Sequence, residues 1–387
     1  MAGASFGSGI LWTALITFPM MAAVQFICAK IGIVAGEGLG SVLRKTFPKY
    51  IVYPAIVALV IGNTINAGAD LGAIAAALNL FIPIRIGILI LPITAAILVL
   101  QIFGTYRLIA SVFKWLTLAL LAYIGASFFA HPSLRAVLQG TFVPHFQYDS
   151  QFLSTLVAIL GTTISPYLFF WQSSQEVEEK IAAGQKYLWQ RKGATQSELK
   201  SAAWDVNIGM FFSNLVMYFI ILGTGATLHA AGQRDIHSAQ QAAEALRPLA
   251  GRFAHVLFSV GLIGSGMLAV PVLTGSAAYA FAEIAGWKRG LDERLHRAPN
   301  FYLIIAASTI IGMLINFTGV NPMSALFWTA VLNGFIAPPI LLLIMVVSNR
   351  HNVLGSRSNG LAINLLGWLT TALMLGAAIG LVVTWNG

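Results

Sequence analysis

The chain has 387 residues, of which 58% are hydrophobic and only 9% carry a charged side chain. Because soluble domains carry about 25% charged residues, this composition excludes an ordinary soluble enzyme and indicates a protein that crosses a membrane many times. The net charge of +9 comes from 22 Lys and Arg against 13 Asp and Glu. In membrane proteins such an excess marks cytoplasmic loops rather than a nucleic-acid surface.

Apolar runs long enough to span a bilayer recur along the chain and predict about ten transmembrane helices. No stretch resembles a soluble domain, so residues 1–387 are predicted to form a single transmembrane domain with an all-α, polytopic helical-bundle fold. The longest polar segment, Ser173 to Ala203, is predicted to be a connecting loop with amphipathic ends. The apolar runs lie at roughly 9–34, 51–78, 84–104, 108–130, 152–173, 206–230, 253–285, 301–319, 325–348 and 361–384.

The distribution of basic residues between loops predicts the orientation of the bundle. Seventeen of the 22 Lys and Arg residues fall on one side of the predicted membrane and five on the other, which makes the first side cytoplasmic. Both chain ends then lie outside, although the first run has no cleavage signal. We therefore expect one more helix upstream that begins in the cytoplasm. The five outer residues are Arg85, Arg135, Arg234, Arg247 and Arg252.

The second apolar run carries a polar stripe made of Asn63, Asn66 and Asp70. Spacings of three, four and seven residues place these side chains on one face of a helix. An acid inside a membrane is rare and usually faces a partner or a water path, so we favour a functional role for Asp70. The alternative is a protonated Asp70 that forms a hydrogen bond with a neighbouring helix.

A break in the helix is predicted between Gly161 and Tyr167, in the middle of the run 152–173. Pro166 has no amide hydrogen and its ring clashes with the carbonyl four residues earlier, so the helix should break near Thr162. Broken backbone at membrane depth must be buried in protein or line a wet cavity, where its freed carbonyls can bind cations. The alternative is a plain proline kink, repaired by the neighbouring threonine hydroxyls.

After this break, Gln172, Gln175 and Glu179 share one helix face that could line a cytoplasmic exit, although a solvated helix end is the favoured interpretation. Asp205 is predicted to lie in the first turn of the next helix, where the helix dipole favours an acid.

Several segments resemble, in order and spacing, those of the NRAMP (natural resistance-associated macrophage protein) divalent-metal transporters. The resemblance runs from the family's second helix to its eleventh. The family's first helix, with its Asp-Pro-Gly-Asn motif, has no counterpart, because the sequence contains no Asp-Pro pair. The matching segments are Ala29 to Leu39, Gly161 to Leu168, Asp205 to Asn214, Leu273 to Ala280, Asn333 to Arg350 and Asn364 to Trp368.

The resemblance implies the inverted-repeat architecture of LeuT-type transporters. In that fold two five-helix repeats each begin with a broken helix, and the metal lies between the two breaks. Residues 1–150 would form an incomplete first repeat, 151–348 the second repeat, and 349–387 an additional C-terminal helix.

The resemblance also implies which residues bind the ion. Ser165 stands where the family has a metal-binding methionine, and the Thr162 carbonyl matches the family's backbone ligand. Tyr167 replaces a histidine implicated in proton handling, and a tyrosine does not titrate usefully at neutral pH. Since hydroxyl and carbonyl oxygens suit Mg²⁺ and Mn²⁺ better than a thioether does, we expect a hard divalent cation at these three residues.

A proton or gating path is implied by further matches. Asp70 matches a family acid in the proton route, and Asn214 matches a polar position near the outer gate. With Asn63, Asn66 and Thr163 they form the predicted path.

The sequence therefore predicts secondary active transport of a divalent metal ion by a multi-pass protein of the bacterial inner membrane. No enzyme activity, cofactor, nucleic-acid partner or obligate protein partner is expected, since the chain lacks a phosphate-binding Gly-Lys-Ser/Thr motif and paired metal-ligand histidines. One alternative is an amino-acid or other organic-solute carrier of the same fold. The other is an inactive, truncated homologue.

Overall fold

The computed structural model describes residues 1–104 and 121–385. Within these two ranges the chain is helical and contains no strand. Nine helices, counted over the same ranges, are long and apolar enough to cross a membrane. The predicted run at 108–130 falls partly on residues 105–120, outside the described residues, and its remainder contains the helix Ala122–Phe129.

The helices pack side by side into one bundle, in which the longest helix of the second half packs along the polar-striped helix of the first half. Short helices lie between or before the longer ones along the chain, at Ala2–Phe6, Leu188–Arg191, Ala239–Ala243, Arg247–Ala250 and His351–Leu354. The longer helices are α1 (Trp12–Ala35), α2 (Leu39–Thr46), α3 (Lys49–Asn79), α4 (Ile86–Phe103), α5 (Ala122–Phe129), α6 (Leu134–Phe142), α7 (Ser150–Thr163), α8 (Pro166–Ala182), α9 (Gln196–Thr224), α10 (Ala254–Ala285), α11 (Pro299–Ile315), α12 (Pro322–Ser348) and α13 (Leu361–Thr384).

The segment predicted as a long polar loop is mostly helical. Helix α8 continues to Ala182, and α9 begins at Gln196, about ten residues before the apolar run. The early start has a local cause: the Glu198 amide donates to Thr195 Oγ1 at 3.2 Å while the Thr195 amide donates to Glu198 Oε2 at 2.6 Å. This reciprocal cap satisfies two free amides of the first turn. Asp205 therefore lies in the third turn, and its predicted place in the first turn is wrong.

Two helix crossings depend on glycine. A Cβ atom on Gly161 of α7 would overlap the Ala330 carbonyl oxygen and the Gly334 amide nitrogen of α12. In the same way, Gly68 of α3 lies against the backbone of Gly312 of α11. Helices in a membrane associate through close van der Waals contact, which small residues permit. The first crossing therefore holds α7 close to α12, and the second holds α3 close to α11.

The predicted cytoplasmic residues gather at one end of the bundle. Arg191 donates to the Gly36 carbonyl at 3.1 Å, and Arg357 donates to the side chain of Gln196 at 2.8 Å. Lys180 donates to the Ile33 carbonyl at 2.8 Å. The structure thus brings basic residues from distant loops together, as the distribution of charges predicts.

Candidate functional site

The helix that contains Pro166 is interrupted. Helix α7 ends at Thr163 and α8 begins at Pro166, with Ile164 at φ −111°, ψ 60° and Ser165 at φ −80°, ψ 132° between them. Proline forces the residue before it out of the helical region, which places the break at Ile164 and Ser165 rather than at Thr162. The predicted interruption is present, two residues later along the chain than expected.

The Ser165 hydroxyl replaces amide donors that the break removes. Its Oγ lies 2.6 Å from the Gly161 carbonyl oxygen and 2.9 Å from the Thr162 carbonyl oxygen. A hydroxyl has one proton, so lone pairs remain on both carbonyls and on the Ser165 oxygen. The Thr163 hydroxyl, by contrast, donates to the Ile159 carbonyl within α7 at 2.8 Å. Serine, not threonine, therefore repairs the break, and it leaves oxygen atoms that can accept a cation.

A cavity of about 430 Å³ reaches the break from one side. Thr162 is exposed and lies in its wall, together with Ile236 from the loop that holds the predicted outer residue Arg234. The wall is mostly apolar; the residues in it that carry hydroxyl groups are Tyr123, Thr155, Thr162 and Thr224. The cavity gives the break access toward the predicted outer side.

Tyr167 and Asp70 meet beside the break. The Tyr167 ring packs against the buried cluster to which Ala67 and Leu71 of α3 belong, and its phenol lies near Asp70 and Ser165. The Tyr167 carbonyl accepts a hydrogen bond of 2.7 Å from the Ser276 hydroxyl of α10. In the described ranges no group of three His, Cys, Asp or Glu side chains is placed to hold a metal ion. The polar atoms brought together here are hydroxyls, backbone carbonyls and one carboxylate.

Other predicted site residues have structural partners away from the break. Asn63 donates to the Leu273 carbonyl of α10 at 3.1 Å, which joins two helices. Asn214 donates to the Ala14 carbonyl at 2.6 Å and accepts from Thr17 at 3.1 Å, which joins α9 to α1. Asn66 is half-buried. Of the polar stripe on α3, Asp70 is the member placed next to Tyr167.

A chain of hydrogen bonds between two glutamine side chains and one glutamate leads from the break toward the basic end. The Gln25 amide of α1 donates to Gln172 Oε1 at 3.0 Å, and the Gln172 amide donates to Glu176 Oε1 at 2.8 Å. Gln172 and Glu176, both on α8, line a second cavity of about 460 Å³. Its wall also includes Gln175, Glu179 and Asp205. The face formed by Gln172, Gln175 and Glu179 therefore borders a cavity, and the choice between an exit path and a solvated helix end stays a prediction. Sequence reasoning missed Gln25, although it is the lone amide side chain in its apolar run.

The profile of the family described as "Natural resistance-associated macrophage protein-like" matches residues 1–384. The chain belongs to the Nramp family. A curated relative, "Divalent metal cation transporter MntH" of Bacillus subtilis (strain 168), is 30% identical over 400 residues, which cover 99% of this Nramp chain and 86% of the relative.

Solved structures share the fold of this Nramp chain. A crystal structure of the Eremococcus coleocola manganese transporter, in complex with an aromatic bis-isothiourea substituted compound, has a TM-score of 0.75 at 16% identity, over 99% of this chain and 81% of that one. The inward facing conformation of Mhp1 has a TM-score of 0.54 at 13% identity, over 100% and 87% of the two chains. The predicted family, the all-α LeuT-like fold, the multi-pass membrane location and the absence of enzyme function are confirmed. The division into repeats stays a prediction.

Near the basic end of this Nramp chain, a buried acid joins three elements. Glu283 Oε2 accepts from the Gly40 amide at 2.7 Å and the Ser41 amide at 3.3 Å, in the first turn of α2. Its Oε1 accepts from Ser174 of α8 and from Arg289, both at 3.1 Å. The carboxylate thereby fixes the cytoplasmic half of the broken helix to α2 and α10. Sequence reasoning missed it, although it is the lone acid in its apolar run.

Proposed function

We propose that this Nramp chain carries a divalent metal cation across the bacterial inner membrane by alternating access, with the ion bound at the break between α7 and α8. The observation that carries the proposal is the pair of oxygens at the break, the Thr162 carbonyl and the Ser165 hydroxyl, beside a cavity of about 430 Å³ in whose wall Thr162 lies. The second cavity, lined by Gln172, begins beyond the break on the other side. Two cavities separated by a broken helix suit a carrier that opens to each side in turn.

The donor atoms favour a hard ion. Thr162 offers a carbonyl, Ser165 and Tyr167 offer hydroxyls, and Asp70 adds a carboxylate close to the Tyr167 phenol. Oxygen donors of this kind suit Mg²⁺ and Mn²⁺, whereas a thioether would favour softer metals. We propose Mg²⁺ or Mn²⁺ as the transported ion, with weaker selection of Fe²⁺ and Cd²⁺.

Replacing the hydroxyl with a thioether tests this ion preference. In proteoliposomes, Ser165→Met should raise the ratio of Cd²⁺ to Mg²⁺ uptake about tenfold, because a soft ligand replaces a hard one. Ser165→Ala is the control: it removes the hydroxyl without adding sulfur, so Mg²⁺ uptake should fall with no gain for Cd²⁺. Strong preference of the unaltered protein for Cd²⁺ or Fe²⁺ over Mg²⁺ would rule out the hard-ion proposal.

Asp70 is proposed to couple transport to protons. An acid at membrane depth that faces a polar partner is suited to exchange a proton as the ion moves. Asp70→Asn should lower Mn²⁺ uptake by about tenfold or more and remove its response to an imposed pH gradient. The control is Asp235→Asn, on an exposed loop residue, which should leave both unchanged. Full pH-driven uptake by the Asp70 variant would contradict this role.

An organic-solute carrier is the second candidate, favoured by the similarity to Mhp1. The Mhp1 structure with bromovinylhydantoin describes it as a nucleobase-cation-symport-1 family transporter, and it has a TM-score of 0.53 with this chain. The mostly apolar wall of the cavity of about 430 Å³ could also hold an organic solute. Uptake of labelled amino acids or nucleobases, with no uptake of Mn²⁺, would favour this candidate. Uptake of neither class would favour an inactive homologue.

A further inference from the structure

A cavity of about 680 Å³ opens at the basic end of the bundle. It lies where the end of α1, helix α2, the segment before α9 and the connection between α12 and α13 meet. We call it the basic pocket. Its lining includes four Lys or Arg side chains and one carboxylate: Lys45, Lys192, Arg350, Arg357 and Glu37.

Most of this positive charge has no acidic partner in the protein. Glu37 forms an ion pair with Lys45. None of the ion pairs among the described residues involves Lys192, Arg350 or Arg357. Residues 105–120, outside the described part, contain no Asp or Glu in their sequence. Three cations of the basic pocket are therefore left without a carboxylate.

The pocket is held in shape by neutral contacts. Arg357 donates to the Gln196 side chain at 2.8 Å, and the Arg350 guanidinium lies 5.5 Å from the centre of the Phe47 ring. Behind the wall, the buried Lys30 donates to the Ser358 carbonyl at 2.9 Å and is repelled by Arg357. Because the partners of Lys30 and Arg357 are neutral, no carboxylate of the described residues compensates the positive charge of these two side chains.

We propose that the basic pocket binds a phosphate group, either that of an anionic lipid in the cytoplasmic leaflet or that of a soluble phosphate ester. Two guanidinium groups and an ammonium match the charge and the several acceptor oxygens of a phosphate. Arg350 follows the end of α12 at Ser348 by two residues, and Arg357 precedes the start of α13 at Leu361 by four. Basic pockets so close to helix ends lie at the depth of lipid headgroups.

The site is independent of the transported ion. A bound phosphate would join the end of α1 to the connection between α12 and α13 and so stabilise the folded bundle. Thermal unfolding of the detergent-solubilised full chain, with phosphatidylglycerol or phosphatidylcholine added, measures this effect. We expect stabilisation by phosphatidylglycerol and not by phosphatidylcholine.

The variant Lys192→Gln/Arg350→Gln should bind phosphatidylglycerol about 30-fold more weakly, at about 1 kcal/mol for each basic residue. The matched control is Lys288→Gln/Arg297→Gln, which removes the same charge from exposed residues outside the pocket and should keep the stabilisation. If the double variant folds poorly, the single Lys192→Gln substitution, on an exposed side chain, should still weaken binding.

A second arm replaces the lipid with glycerol 3-phosphate or inorganic phosphate at the same concentrations. Stabilisation by the lipid alone identifies a lipid headgroup as the ligand. Stabilisation by the soluble compounds identifies a phosphate ester. In both cases the stabilisation must be lost in the Lys192/Arg350 variant. Equal loss in the Lys288/Arg297 control would show a diffuse surface charge effect and overturn the proposal. So would the absence of any response to phosphatidylglycerol and to soluble phosphates.

Discussion

Gly161→Ala should leave the chain unable to reach a folded state that transports ions. The added Cβ would overlap the backbone of Ala330 and Gly334, which cannot move aside as a flexible side chain could. Overpacking of this kind costs about 3 kcal/mol or more, and here it would also displace the helix that carries the break. The expected result is little monodisperse protein after extraction and Mn²⁺ uptake near background.

The matched control for this prediction is Gly376→Ala in α13. No atom lies within 4 Å of a Cβ at that position, and alanine favours a helix over glycine by about 1 kcal/mol. This variant should therefore be as stable as the unaltered protein, or slightly more so. Normal yield and uptake for Gly161→Ala would show that α7 and α12 do not cross as closely as described.

Glu283→Gln is expected to have the second large effect. The substitution keeps the size of the side chain but removes the charge that pairs with Arg289, and its NH₂ group replaces one of the two oxygens that accept hydrogen bonds from Gly40, Ser41, Ser174 and Arg289. Removing one partner of a buried ion pair costs about 3–5 kcal/mol; the Arg289 side chain is 25% exposed, so water recovers part of this. We expect the free energy of unfolding to fall by about 3 kcal/mol, measured as a lower unfolding midpoint in detergent.

Glu244→Gln gives the comparison for Glu283. Glu244 pairs with Arg247, whose side chain is 73% exposed, and lies 3.8 Å from His255, which is 35% exposed. Surface pairs of this kind contribute about 1 kcal/mol or less. The unfolding midpoint of this variant should hardly change. Equal shifts for the two variants would mean that the Glu283 network does not fix α8 to α2 and α10.

The broken helix is predictable from sequence because its cause is local. Pro166 removes a donor from its own helix, and the serine before it is forced into an extended conformation wherever the chain lies. The role of the Ser165 hydroxyl is harder to predict from sequence, because it depends on two carbonyls that lose their helical partners only once the break forms. The resemblance to the family supplied Ser165 as a candidate, and the structure supplies its contacts.

The polar stripe on α3 shows where periodicity fails. Asn63, Asn66 and Asp70 share a helix face, yet Asn63 binds the backbone of α10 while Asp70 lies near Tyr167. Which neighbour a polar side chain meets depends on how α3, α8 and α10 cross, and the spacing of one helix does not contain that information. The same reason explains why the sequence does not show that Asn214 joins α9 to α1; its place on the path stays a prediction.

Glu283, the acid that joins three elements, is a residue that the sequence marks as unusual without showing its partners. Glu283 is the lone acid in its run, which marks it as unusual. Its partners come from positions more than 100 residues earlier in the chain and from Arg289, just after α10. A single sequence can therefore indicate that such a residue matters, whereas only the fold shows which elements it holds together.

The location of Mn²⁺ in crystals of the protein tests most directly whether the break binds the transported ion. An anomalous difference map should show one strong peak within ligand distance of the Thr162 carbonyl and the Ser165 hydroxyl, and the peak should weaken in Ser165→Ala. The proposed site would be contradicted if Mn²⁺ were bound elsewhere and the break were empty. The same protein must accumulate Mn²⁺ in proteoliposomes for this result to count.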